Sequence, residues 1–324
     1  MSSKLPNFLI AGTAKCGTTS VHRYLKQHPE IYMPAHKEPM FMVSEVYEKL
    51  NTNDPRYHIS EEHTIFTLDN YEKLFENVTD EIAIGEASTP YLYHHKYSIP
   101  KIKRLLGDVK IIIFLRNPVD RAFSAYKHFV KETGDTDSFE QFLNKENERV
   151  SENWDILTFP KGLGFYYNQV KAFQNNFSRV RIYLLDDLYA DPDEILFDIY
   201  SFLEVDTSFK CNTSTKHNKS DISDKGLLGP ILAGDNILKD MARPVLRFLL
   251  TEGGTTRLVT YLKNKNKKNM KPKTRKYMLE LFKEDILKLQ ELLHRDLSMW
   301  LKFCFFIIPS SLVFWSIESG SGIG

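Results

Sequence analysis

The residues best suited to chemistry lie in the run Gly12-Thr13-Ala14-Lys15-Cys16-Gly17-Thr18-Thr19-Ser20. Glycines, a lysine and three consecutive hydroxyls make an anion cradle, because backbone N–H groups at a helix N-terminus aim donors at a phosphate or sulfate. In the loop that binds ATP or GTP, the lysine directly follows the second glycine. Here Thr18 follows Gly17, and the lysine is Lys15, inside the loop. It reaches over a bound anion from the strand side rather than from the helix. A second pair is Arg116 and Ser124 in "FLRNPVDRAFSAY". A nucleotide triphosphatase needs an acidic residue at a later strand end to hold magnesium, and "IIIFLRNP" ends in arginine instead. The two groups together predict a ligand that is negative at two places, one over the loop and one near Arg116, held without a divalent metal. An ion pair of Arg116 with Asp120 is the structural alternative.

These residues need elements to hold them. "NFLIAG" (7–12) reads as a short buried strand running into the loop, and "TTSVHRYLKQHP" as a helix that Pro29 stops. "EIAIGEAS", "VKIIIFLRNP" and "VRIYLLDDL" read as further strands; "KIKRLLG", "VDRAFSAYKHFV", "GFYYNQVKAFQNNF" and "DPDEILFDIYSFLEV" read as helices, the last with Pro192 in its first turn. Apolar strands alternating with helices predict an α/β fold, a central parallel sheet flanked by helices on both faces. Beyond about residue 205 the chain turns polar, with a lysine and asparagine run over 262–273 and no strand signal. "TRKYMLELFKEDILKLQELLHRDLSMWL" then predicts a long amphipathic helix packed back on the sheet.

Lysine plus arginine (43) nearly cancels aspartate plus glutamate (42), for a formal net charge of +1, so no overall basic field predicts nucleic-acid binding. Cys16, Cys211 and Cys304 are too sparse for a disulfide scaffold or a Cys-x-x-Cys zinc site, which fits a reduced, cytoplasmic setting. The N-terminus enters a strand-like run at once, so neither a secretion signal nor an N-terminal membrane anchor is expected. Within the tail 303–324, the apolar stretch "FCFFIIPSSLVFWSI" (303–317) is shorter than the ~20 residues of a membrane span and is interrupted by Pro309; it reads as a packed or poorly ordered end, with a weak membrane-surface contact as the alternative.

At this point a resemblance enters. "AGTAKCGTTSVHRYLKQHPEI" resembles the 5′-phosphosulfate-binding loop, and "FLRNPVDRAFSAY" the 3′-phosphate-binding motif, of sulfotransferases that use 3′-phosphoadenylyl sulfate (PAPS). "HKEPMFM", "GEASTPYLY", "KGLGFYYNQVKAF" and "LHRDLSMWL" are similar to segments of the heparan sulfate and bacterial carbohydrate branch, so the likeness runs over residues 6–301. It implies a P-loop-like three-layer sandwich with a helical C-terminal part, a single domain over 1–302. It implies that Lys15, Cys16, Gly17, Thr18, Thr19 and Ser20 cradle the 5′-phosphosulfate and that Arg116 and Ser124 hold the 3′-phosphate. Tyr166, or its neighbour Tyr167, closes over the nucleotide, and 3′,5′-adenosine bisphosphate is the product.

Glu38 stands where that branch carries its catalytic base, with His36 as the rival and Glu86 assigned to substrate positioning or loop support. His94 and His95 read as surface or satisfied side chains. Ala87 and Ser88 stand where heparan-modifying relatives carry a lysine that meets the acidic polysaccharide, which points away from a heparan-like acceptor. The expected acceptor is a hydroxyl-bearing carbohydrate, lipid or other small molecule, its cleft lined by irregular segments around 36–70, 87–98 and 210–270. Three other readings compete. A cysteine phosphatase using Cys16 needs an arginine six positions on, where His22 stands. A P-loop kinase lacks its Gly-Lys pair, and a noncatalytic nucleotide-binding protein of the same fold separates from an enzyme only by an assay of PAPS consumption.

Overall fold

We describe residues 4–213 and 270–302 of a computed structural model of the chain. Five parallel strands, β1 (Phe8–Gly12), β2 (Ile31–Tyr32), β3 (Ala83–Ala87), β4 (Lys110–Leu115) and β5 (Val180–Leu184), lie in the order β2-β3-β1-β4-β5. From β1 the chain goes to the edge strand β2, returns through β3, and then crosses to β4 and β5 on the other side of β1. The order therefore reverses at β1, and the crevice beyond the carboxyl ends of β1 and β4 is where such sheets bind ligands.

The sheet is buried on both faces, which is why its central strands are continuous apolar runs rather than alternating ones. Side chains still part by alternation. Leu9, Ala11, Ile111 and Ile113 pack into one core with Val119, Phe129, Val170, Phe173, Phe282 and Ile286. Those partners belong to the helices Pro118–Thr133, Tyr166–Asn176 and Pro272–Leu293. Phe8, Ile10, Ile112 and Phe114 pack into the other core with Val21, Leu25, Ile199 and Leu203, from the helices Thr18–Leu25 and Pro192–Leu203. The result is the three-layer α/β arrangement expected from the alternation of elements.

Several boundaries differ from the sequence reading. "VRIYLLDDL" is a strand only to Leu184; Leu185–Ala190 is helical, with Asp186 and Asp187 in its first turn, where acidic side chains complement the helix N-terminus. The helix whose tail is expected at 101–107 begins at His95 and carries Pro100 inside it. The stretches 36–70 and 87–98, expected to be irregular, hold short helices at Ser44–Tyr47, Tyr57–His63, Leu68–Lys73 and Pro90–Tyr93. The terminal helix stops at Leu293 because His294 turns left-handed (φ 49°) and the amide of Arg295 bonds back to the Gln290 carbonyl; Ser298–Leu301 is a separate turn. Most of the 210–270 stretch, most of the lysine and asparagine run, Cys304 and the tail from 303 lie outside the described residues. Among the described residues no helix is long and apolar enough to cross a membrane.

Candidate functional site

A cavity of about 470 Å³ opens at the carboxyl ends of β1 and β4, and Lys15, Gly17, Thr18, Thr19, Ser20, Glu38, Arg116 and Ser124 all line it. Gly17 caps the Thr18–Leu25 helix at φ 85°, and a Cβ there would lie 2.7 Å from Leu185 Cδ1. Glycine suits that backbone and avoids that contact. The amides of Ser20 and Val21 bond to the Gly17 carbonyl, so those of Thr18 and Thr19 are the orphan donors of the helix start. Lys15 occupies the left-handed region as well (φ 70°). Burial, with the nearby charges of Arg56, Lys37 and Arg116, lowers its pKa to about 8. This is the electrostatic signature of a site arranged for an anion.

Arg116 leaves the end of β4 and donates to the Lys15 carbonyl at 3.5 Å. Asp120, its alternative ion-pair partner in the sequence reading, pairs with Arg275 at 2.7 Å, so Arg116 keeps its charge toward the cavity. Asn117 caps the next helix by accepting from the amides of Val119 and Asp120, and Pro118 supplies the preset first turn. That start sets the helical phase which brings Ser124 to the cavity. Tyr166 does not line the cavity. It is fully buried and donates from its hydroxyl to the Arg116 carbonyl at 3.0 Å, a place from which it braces the strand end rather than lining the cavity. The Cys16 side chain is likewise buried in the core, and burial pushes its thiol up to about 12. Its part in a cradle is limited to the backbone, and a thiolate nucleophile is disfavoured.

Glu38, also left-handed (φ 63°), is held on three sides. Its amide bonds to the Ala87 carbonyl at 3.0 Å, Lys37 pairs with Oε1, and the Thr89 amide and hydroxyl donate to Oε2 at 2.7 and 3.1 Å. His36 does not line the cavity; its Nε2 lies 2.7 Å from the His63 carbonyl. Glu86 is wholly buried beneath this segment. Tyr91 and Tyr71 donate to its Oε2 at 2.7 and 3.1 Å, while Oε1 has no partner among the described residues. Burial raises its pKa to about 7. The Ser88 and Tyr91 hydroxyls in turn accept from the amides of Met40 and Met42, so the network supports the backbone that follows Glu38. His94 and His95 are neither exposed nor satisfied: His94 Nε2 and His95 Nδ1 are buried without a partner among the described residues, and burial takes the His94 pKa down to about 4.

The sequence reading missed one wall of the cavity. His128 and Glu132 follow Ser124 at four-residue steps on one helix face, and Arg56, Ser60 and Asp155 join them. Arg56 pairs with Glu132 and donates from Nε to Asp155 at 3.1 Å; His128 Nε2 lies 3.2 Å from Glu132. The four-residue spacing from Ser124 was a usable signal. Arg56 and Asp155, far apart in the chain, gave none. Among the described residues no cluster of His, Cys, Asp and Glu has metal-binding geometry.

Known proteins resemble this chain in sequence and fold. The crystal structure of a sulfotransferase from Alicyclobacillus acidocaldarius is similar at 33% identity and a TM-score of 0.71, covering 92% of this chain and 99% of that one. The bifunctional heparan sulfate N-deacetylase/N-sulfotransferase 4 of Mus musculus is 23% identical over 92% of this chain but only 31% of its own length. The membrane-associated sulfotransferase kil1 of Dictyostelium discoideum is 34% identical over 39% of this chain and 23% of its own. The chain thus spans less than a third of the curated relatives it matches. The family model described as "Sulfotransferase family" matches residues 6–208, the stretch that carries the loop, the Arg116 strand end and the Glu38 wall, and the chain is a member of that family of enzymes.

Proposed function

We propose that the protein transfers a sulfuryl group from PAPS to a hydroxyl of a carbohydrate, lipid or other small-molecule acceptor, with an amine as the second acceptor class, by in-line displacement and without a metal. The observation that carries this reading is the convergence of Lys15, Arg116, Ser124 and Glu38 on one cavity at the switch point of the sheet. The residues suit the nucleotide: a lysine whose charge is destabilised by burial and then by neighbouring cations gains most from an anion, and orphan amides at a helix start supply the donors. The strand end that would carry an acidic metal ligand in a nucleotide triphosphatase carries Arg116 instead.

When bound, PAPS supplies an activated sulfuryl group whose departure leaves charge on the bridging oxygen. Lys15 neutralises that oxygen, and the Thr18 and Thr19 amides hold the phosphosulfate. Arg116 and Ser124 hold the 3′-phosphate. Glu38, oriented by the Thr89 amide, takes the acceptor's proton. The protein's contribution is therefore placement and electrostatics. Titration calorimetry with 3′,5′-adenosine bisphosphate, with and without a chelator, tests the reading. Binding that persists with chelator and exceeds that of ATP supports it; a requirement for magnesium, or equal binding of ATP, overturns it. An assay of PAPS consumption with an acceptor panel then separates an enzyme with this substrate from a protein that only binds it.

A further inference from the structure

Arg56 is a cation that neither the loop nor the end of β4 accounts for. It stands at the start of the Tyr57–His63 helix and lines the same cavity as Lys15, with only 8% of its side chain exposed. Its fork is clamped by carboxylates from two distant elements: Glu132 on NH1 and Asp155 on Nε. Asp155 is itself fixed by the Ser60 hydroxyl at 2.8 Å and the Leu157 amide at 2.9 Å. Nε is hydrogen-bonded to Asp155 and NH1 faces the Glu132 carboxylate as an ion pair only, so NH2, which makes no hydrogen bond among the described residues, is the donor a ligand in the cavity can take.

Such an arrangement is expensive as mere structure. Burying a guanidinium with two carboxylates costs desolvation that the pairing barely repays, and apolar replacement is often neutral or stabilising. The position of the fork says more. Arg56 contributes the largest charge effect on Lys15, ahead of Lys37 and Arg116, and it acts on His128 together with Lys15. The Tyr47 hydroxyl, buried at the cavity without a partner among the described residues, feels Asp155, Glu38 and Arg56 together. Arg56 thus lies among the groups that would surround the transferring sulfur, Lys15 on the nucleotide side and Glu38 on the acceptor side.

We propose that Arg56 is a further catalytic residue, its fork held by Glu132 and Asp155 so that NH2 contacts the oxygens of the sulfuryl group in transit. The proposal rests on the PAPS reading above. In the step concerned, the acceptor oxygen forms a bond to sulfur while the bond from sulfur to the bridging phosphate oxygen breaks, its electron pair leaving with the bisphosphate and the acceptor proton passing to Glu38. Negative charge spreads over the three sulfuryl oxygens during transfer, and a fixed guanidinium there stabilises the transition state more than the ground state.

The test measures PAPS turnover and 3′,5′-adenosine bisphosphate affinity for the wild type, Arg56→Gln and Arg56→Lys. The bisphosphate lacks the sulfuryl group, so its affinity reports on the nucleotide site alone. Arg56→Gln is expected to lower turnover at saturating PAPS by about 10²-fold while bisphosphate affinity stays within about threefold. Arg56→Lys keeps one charge in the carboxylate cage but cannot serve both cage and ligand, so a loss of about tenfold is expected, and this variant decides the matter if Arg56→Gln does not fold. Turnover within about threefold of wild type in a folded variant, or a parallel fall in bisphosphate affinity, overturns the proposal and leaves the PAPS reading standing. A wild type that neither binds the bisphosphate nor consumes PAPS overturns both.

Discussion

Thr89 and Glu38, 51 residues apart, meet through a 2.7 Å hydrogen bond from the Thr89 amide to Glu38 Oε2. The donor is backbone, so the end of β3 orients the carboxylate whatever side chain stands at position 89, and the Thr89 hydroxyl adds a second, removable contact. A base assignment can therefore be tested at Glu38 without disturbing its scaffold.

Glu38→Gln keeps the shape and an acceptor for the Thr89 amide but removes the basic oxygen. Turnover is expected to fall by about 10²–10⁴-fold, with bisphosphate affinity nearly unchanged. His36→Gln, at a histidine outside the cavity lining, is expected to leave turnover within a few-fold. Steady-state rates and calorimetry on the two variants decide it; the opposite pattern transfers the role to His36.

Lys15 makes bisphosphate binding depend on pH. Its pKa of about 8 in the free protein rises when an anion occupies the loop, so binding takes up a proton. Affinity should then be nearly flat between about pH 7 and pH 8, above the second phosphate pKa of about 6, and fall by up to about tenfold per unit above pH 8. Calorimetry in buffers of different ionisation enthalpy measures that uptake directly, and Lys15→Ala should abolish it as well as weaken binding and turnover.

Arg116→Ala should weaken 3′,5′-adenosine bisphosphate by about 1.5–3 kcal/mol, the worth of a hydrogen bond to a charged group, and leave adenosine 5′-phosphate nearly unaffected. Paired titrations give the difference. Equal losses would place Arg116 elsewhere on the nucleotide.

Glu86 predicts a stability effect of definite sign. Its folded pKa of about 7 lies above the ordinary carboxylate value of 4.5, so the native state holds the extra proton between those limits and this contribution to stability is lost as pH rises through them, by about 1.4 kcal/mol per unit. Glu86→Gln, neutral throughout, should lose that slope. Denaturant titrations of both proteins at pH 5 and pH 8 should show the variant gaining on the wild type at the higher pH.

What the sequence disclosed follows from how local each signal is. The loop from Gly12 to Ser20 and the step from Arg116 to Ser124 are contiguous runs in which one strand end and one helix start fix the geometry, so their convergence could be read before the fold was seen. β2 is two residues long and carries no periodicity to detect. Tyr166 could be assigned to its helix, but only packing shows that its hydroxyl goes inward to Arg116. Arg56 and Asp155 meet because the Tyr57–His63 helix and the 153–158 segment fold against the same wall, a tertiary fact with no trace at either position.

The left-handed backbone at Lys15 and Glu38 bears on how this chain drifts over generations. Glycine or asparagine would relax both positions, yet each holds a long charged side chain that lines the cavity, as a demand on that side chain would preserve it against the backbone's preference. In lineages where the reaction is no longer under selection, these two codons should be among the first to move toward glycine or asparagine, with the fold left intact. A descendant's loss of catalysis would then be legible from two positions before any assay is run.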